Sequence, residues 1–127
     1  MNYLLDTHTV IWFLNDDPHL SKAAEEAITS PTAHNHVSIA SLWEVGIKMS
    51  IHKFDFEGGF SAFCDLIRQN GFKIIHLEQK YIQNMLSLPL IHRDPFDRII
   101  VSTALCEDMT ILTADENISK YKVTSVW

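Results

Sequence analysis

Short apolar runs of strand type alternate with longer stretches of helical periodicity along the whole chain, and this alternation restricts the fold more than any other feature. Asn2 to Leu5 reads as a strand. Thr7 to Asn15 reads as a helix with Val10, Ile11 and Leu14 on one face, and Asp16-Asp17-Pro18 breaks it. Trp12 and Phe13, adjacent on that helix, are not expected to face one core together. Ser21 caps a second helix whose buried stripe is Ala23, Ala24, Ala27 and Ile28. Asn35 to Ile39 is a second strand, rich in β-branched residues. Ala40 to Ile51 is a helix with Leu42, Val45 and Met49 on one side, and Phe60 to Asn70 is another, stopped by Gly71. Phe72 to Leu77 is the third strand, Glu78 to Ser87 a helix ended by Leu88-Pro89, and Pro95 to Cys106 the longest clean helix. Thr110 to Thr113 is the fourth strand. Glu116 to Tyr121 is a short helix, and Lys122 to Trp127 a last strand at an edge. Strands separated by helices cannot pair as hairpins. The pattern predicts an α/β fold, a three-layer α/β/α sandwich around a mostly parallel central sheet of four to five strands.

With 127 residues, 46% hydrophobic and 20% charged, the chain suits one domain over residues 1–127 with a core of its own. No repeat or linker divides it. The net charge of -6 argues against a broad basic face for gripping nucleic acid, although a bound metal would invert the sign of an acidic site locally. Cys64 and Cys106 form no C-x-x-C pair and no disulfide framework, which fits a reducing cytoplasm. The start, Met1-Asn2-Tyr3-Leu4-Leu5-Asp6, lacks a basic n-region and is not expected to be a signal peptide, and no apolar run approaches a membrane span.

Four acids stand at the joints of this pattern. Asp6 ends the first strand run, Asp115 follows the fourth, Glu44 lies early in the helix after the second, and Asp97 opens the long helix. A parallel sheet collects its sites at the carboxyl ends of its strands, so these acids are placed to converge. Clustered carboxylates repel one another unless a cation sits among them. That points to a divalent-metal site and to metal-assisted chemistry on a phosphate. Each acid also has a plainer role. Asp6 and Asp115 are placed to cap helices. Asp94-Pro95-Phe96-Asp97 is a helix start with Asp94 at the cap. Glu44 precedes Lys48 by four residues, the favourable order for an ion pair. Helix starts explain Glu44 poorly, since it lies between Trp43 and Val45 inside a helix with few other charges.

Arg93 and Arg98 are candidates for phosphate contact, Arg98 alternatively for pairing with a neighbouring acid. His8 and His92 flank candidate acids, with ordinary polar contacts as the competing role. His34-Asn35-His36 spells a nuclease motif only in letters. Trp12, Trp43 and Trp127 could stack on bases or serve core and interface.

The wider pattern resembles the PIN-domain family and, within it, VapC-type toxins of type II toxin–antitoxin systems. The residues that carry the resemblance are Leu4-Leu5-Asp6-Thr7-His8 and Trp12, then Ser38, Ser41-Leu42-Trp43-Glu44 and Ile47-Lys48. It is sharpest at His92-Arg93-Asp94-Pro95-Phe96-Asp97-Arg98, and closes with Leu112-Thr113-Ala114-Asp115 and Tyr121 to Trp127. The resemblance implies an endoribonuclease dependent on Mg²⁺ or Mn²⁺, with Asp6, Glu44, Asp97 and Asp115 as metal-binding and catalytic residues and Thr113 as the hydroxyl residue beside the last acid. Asp6 and Asp97 are then the principal ligands, with Glu44 and Asp115 holding a second ion or orienting the attacking water. Water as nucleophile implies a 5′-phosphate and a 3′-hydroxyl on the products. The resemblance also implies a basic VapB-like antitoxin, which the charge of -6 suits, and a homodimer. Two other readings stay open: a PIN-like domain that only binds RNA or protein, and a Mg²⁺-dependent receiver domain, against which stands the single acid after the first strand.

Overall fold

The structure, a computed structural model, describes residues 1–127. Its strands are β1 (Asn2–Leu5), β2 (His34–Ser38), β3 (Lys73–Ile75), β4 (Thr110–Leu112) and β5 (Ser125–Val126). Its helices are α1 (Thr7–Leu14), α2 (Lys22–Thr29), α3 (Ile39–Ser50), α4 (Gly59–Gln69), α5 (Gln79–Met85), α6 (Pro95–Glu107) and α7 (Glu116–Ser119). The strands form one five-stranded sheet in the order β3-β2-β1-β4-β5, and every pairing is parallel. The sandwich expected from the alternation is thus observed, with β5 at an edge. The receiver fold runs 2-1-3-4-5, so the observed order excludes that alternative.

The sheet divides the apolar residues between its faces by the two-residue period of a strand. Leu5, Val37 and Leu112 enter one cluster with Val10, Ile11, Ile28, Leu42, Val45, Phe63 and Ile67, which come from α1, α2, α3 and α4. Leu4 and Ile111, one residue earlier on their strands, enter a second cluster with Ile100, Val101 and Ala104 of α6 and Ile118 of α7. Ala40, Tyr81 and Ile99 join α3, α5 and α6 at a third contact. Leu4 and Leu5 are both fully buried, so β1 is the central partition. Truncating either to alanine is expected to cost about 2–5 kcal/mol.

Differences from the sequence reading have local causes. The Ser38 side chain accepts from the Ala40 N–H, at 3.1 Å, which draws Ile39 into α3 and ends β2 a residue early. Asn15 and Glu78 cap α1 and α5 rather than extend them. β3 shortens to Lys73–Ile75 because only those residues pair with β2. On α2, Ala24 and Ile28 are buried, Ala27 is partly buried and Ala23 is exposed, so the stripe is narrower than expected. The expectation that Trp12 and Phe13 could not share a core is wrong. Both pack at the rim of the first cluster, Phe13 toward Phe72 and Trp12 toward Trp127. No helix is long and apolar enough to cross a membrane. Cys64 is buried and Cys106 exposed, both as free thiols.

Candidate active site

The strand order reverses between β1 and β4, and that switch point at the carboxyl ends of a parallel sheet is where such folds open a crevice. Asp6 leaves β1 there and Asp115 follows β4. Asp6 is 5% exposed. Its Oδ1 accepts from the Thr9 N–H at 2.8 Å, which caps α1, and lies 2.7 Å from the Thr9 hydroxyl. Its Oδ2 accepts from the Thr113 hydroxyl. Burial pushes the Asp6 carboxyl above the usual carboxylate range, while the bonds from Thr113 and Thr9 and the charge of His8 pull it back. A buried charge without such donors would be costly; the three hydroxyl and amide donors make this one tenable.

Asp97 sits in the first turn of α6. Asp94 caps that helix, its carboxylate accepting from the Phe96 and Asp97 N–H groups at 2.9 and 3.2 Å, the role its place before Pro95 implied. Asp97 Oδ2 lies 3.1 Å from His92 Nε2, and His92 Nδ1 lies 2.9 Å from the Tyr121 hydroxyl. Arg98 donates to that hydroxyl at 3.0 Å. Arg98, Tyr121, His92 and Asp97 are thereby joined in one hydrogen-bonded series. Burial pushes the Asp97 carboxyl up to about 7; the His92 bond opposes this, and the negative charges of Asp94, Asp115 and Asp6 add to it. Those three contributions put Asp6, Asp97 and Asp115 in one electrostatic neighbourhood.

Glu44 reaches the same end of the sheet from α3. Its Oε1 accepts from the hydroxyl of Thr7, the residue after Asp6, at 2.7 Å, and its Oε2 pairs with Lys48 at 3.3 Å. The i,i+4 pair expected from sequence therefore exists, on a carboxylate that is largely buried. Asp115 caps α7 through the Asn117 N–H at 2.8 Å, and Thr113 Oγ1 accepts from the Asp115 N–H at 3.0 Å. Thr113 thus ties the acid after β4 to the acid after β1. A cavity of about 250 Å³ opens beside this pair, lined by Asp6, His8, Trp12, Ala114 and Asp115.

The four acids share one end of the molecule, but no three acidic, histidine or cysteine side chains close into a ligand cage. Each carboxylate spends oxygens on its own neighbours: Asp6 on Thr9 and Thr113, Asp97 on His92, and Glu44 on Thr7 and Lys48. An all-oxygen donor set suits Mg²⁺, which keeps several waters and takes only one or two carboxylates directly. On that chemistry the residues fit such an ion.

Arg98 is not a free phosphate contact. Its guanidinium donates to Pro89 O at 2.9 Å and Met85 O at 3.3 Å as well as to Tyr121, so it fastens the loop before α6. Arg93 is exposed. His34 and His36 alternate with Asn35 along β2, where Asn35 donates to Ile28 O at 2.8 Å and His36 Nδ1 lies 3.1 Å from Tyr3 O, both ordinary polar contacts to backbone. Thr7, Thr9 and Tyr121 carry bonds that the sequence reading assigned to no residue. Hydroxyl residues directly after an acid at a helix start were the available signal for the first two; the Tyr121 bond to His92 spans 29 positions and left none.

Comparison with known proteins agrees with this fold. The PIN domain family model matches residues 3–123. The fold is similar to that of chains in VapBC2 from Rickettsia felis bound to a DNA fragment from their promoter (TM-score 0.76, 17% identity, covering 99% of this chain and 98% of that one). VapBC-1 from nontypeable Haemophilus influenzae follows at TM-score 0.70 and 17% identity, covering 99% and 97%. A toxin–antitoxin complex from Klebsiella pneumoniae gives 0.67 and 18%, covering 98% and 96%. None of the curated proteins compared with the chain matches it significantly. These neighbours are consistent with the VapC-type resemblance seen in the sequence, and the family match over nearly the full length makes the chain a member of the PIN domain family.

Proposed function

We propose that the chain is a Mg²⁺- or Mn²⁺-dependent endoribonuclease, the VapC-type toxin of a type II toxin–antitoxin system, acting in the cytoplasm as one PIN domain over residues 1–127. The observation that supports this most is the gathering of Asp6, Asp97 and Asp115 at the sheet's switch point, where burial pushes the Asp97 carboxyl up to about 7 and the charges of Asp94, Asp115 and Asp6 add to that rise. A group in that state is relieved by a cation, and a cation there suits a phosphodiester. Asp6 and Asp97 would hold the ion directly, and Glu44 and Asp115 would act through water or a second ion. When bound, the metal supplies charge neutralisation and activation of the attacking water. The chain's own part is positional. Thr9 and Thr113 fix Asp6, the Arg98–Tyr121–His92 series fixes Asp97, and Thr7 fixes Glu44. Exposed Arg93 would be the cation that meets substrate phosphate.

The antitoxin reading is supported by neighbours that are themselves toxin–antitoxin complexes and by the net charge of -6, which favours a basic partner. A homodimer is proposed with it; exposed Trp43, 5.4 Å from Phe96, is the apolar surface most suited to such a contact. Incubating the purified chain with total RNA and Mg²⁺ or Mn²⁺ is expected to give fragments with 5′-phosphate and 3′-hydroxyl ends, lost with chelator and in Asp97→Asn. Cleavage that survives chelation, or cyclic-phosphate ends, would refute the mechanism. No cleavage at all, with RNA binding retained, would favour the alternative of a binding-only PIN domain.

A further inference from the structure

We propose that Trp12 and His8 form a stacking ledge for one unpaired nucleobase of the substrate strand, directly beside the acids; the inference rests on the ribonuclease reading above. The ledge follows from α1. Asp6 caps the helix, and His8 and Trp12 are four residues apart, so both rings lie on one helix face over the end that Asp6 starts. Their centroids are 5.6 Å apart, with the planes at 40°. Trp12 is braced by His19, stacked at 5.4 Å and 23°, and by Trp127 at 5.6 Å. His8 is exposed and Trp12 only partly buried.

His8 and Trp12 line the same cavity as Asp6, Ala114 and Asp115. At about 250 Å³ it is smaller than the roughly 300–1,000 Å³ of pockets for drug-sized ligands. It suits one ring system rather than a whole nucleotide. Trp12 packs at the rim of the first cluster and also lines this open acidic cavity. A base joined to a phosphate drawn by a cation on the acids satisfies both sides of the cavity at once: its face meets the rings, and its sugar–phosphate runs toward the acids. Stacking of this kind depends little on sequence, because every base has a π-face.

The test uses the full chain and short single-stranded RNAs in which one abasic ribose is moved along the strand. The wild-type chain is expected to show a KM raised roughly 5- to 100-fold for an abasic residue at one position flanking the cut bond. Trp12→Ala should show the same loss with intact RNA and little further loss with that abasic RNA. Trp12→Phe should recover most of the affinity. His8→Ala, a change at an exposed position, serves if Trp12→Ala fails to fold, and should raise KM several-fold only when the base is present. Equal tolerance of the abasic residue at every position, or additive losses, would overturn the ledge. So would a Trp12→Ala chain that loses affinity for a basic protein partner but not for RNA. If the wild-type chain cleaves no RNA, the nuclease reading fails separately. The ledge is then judged by 2-aminopurine RNA, whose fluorescence should be quenched by the wild-type chain and not by Trp12→Ala; equal quenching refutes it.

Discussion

Asp97→Asn should make the metal-free chain more stable at pH 8 while abolishing its proposed activity. The Asp97 carboxyl is raised from 3.8 to about 7 in the folded state, chiefly by burial and then by Asp94, Asp115 and Asp6. An acid whose folded pKa lies above its unfolded one binds more protons when folded, so stability falls as pH rises between about 4 and 7. The full gap corresponds to about 4 kcal/mol. The side chain keeps 18% exposure, and solvent screening brings the expected cost to about 1–2 kcal/mol. Asparagine has no charge to desolvate, and its amide oxygen keeps the bond to His92 Nε2. It forfeits the favourable placement of a negative charge in the first turn of α6, about 0.3–1 kcal/mol. The net gain at pH 8 is about 1 kcal/mol, or about 4 °C in Tm for a chain of this length. It should vanish near pH 4, where folded Asp97 is protonated. Urea denaturation of both proteins with chelator at pH 4 and pH 8 measures it. An Asn variant less stable than the wild type at pH 8, or a difference independent of pH, would refute the reasoning.

Other substitutions separate support from chemistry. Thr113→Val keeps the side chain's shape but removes the donor to Asp6 and the acceptor for the Asp115 N–H; it should cost about 1–3 kcal/mol in denaturant unfolding. Arg98→Lys cannot reproduce the fork that reaches Pro89, Met85 and Tyr121 and should lower stability by about 1–3 kcal/mol in the same assay, whereas a residue that only binds phosphate would leave stability unchanged. Glu44→Gln retains an acceptor for Thr7 and loses only the pairing with Lys48. Its unfolding free energy should move by less than about 1 kcal/mol, while RNA cleavage falls by at least tenfold.

The layers and the parallel sheet were legible in the sequence because each strand's apolar residues are flanked by helices of clear period, as at Val10-Ile11 and Ile100-Val101. Strand order was not, since nothing local in Thr110 to Leu112 says that β4 lies beside β1 rather than β3. The acids were visible because they stand where strands end and helices begin, and their capping roles at Asp6, Asp94 and Asp115 were visible for the same reason. The bonds that orient them were hidden. Thr113 meets Asp6 across 107 positions, and Tyr121 meets His92 across 29. Arg98 looked free for substrate because its carbonyl partners carry no side-chain signature.

The central claim is that Asp6 and Asp97 serve one divalent ion together. Mn²⁺ titration followed by electron paramagnetic resonance, on the wild type, Asp6→Asn and Asp97→Asn at pH 7.5, addresses it most directly. The account predicts saturable binding by the wild type and a loss of at least tenfold in affinity in each variant. Equal Mn²⁺ binding by all three proteins would contradict it.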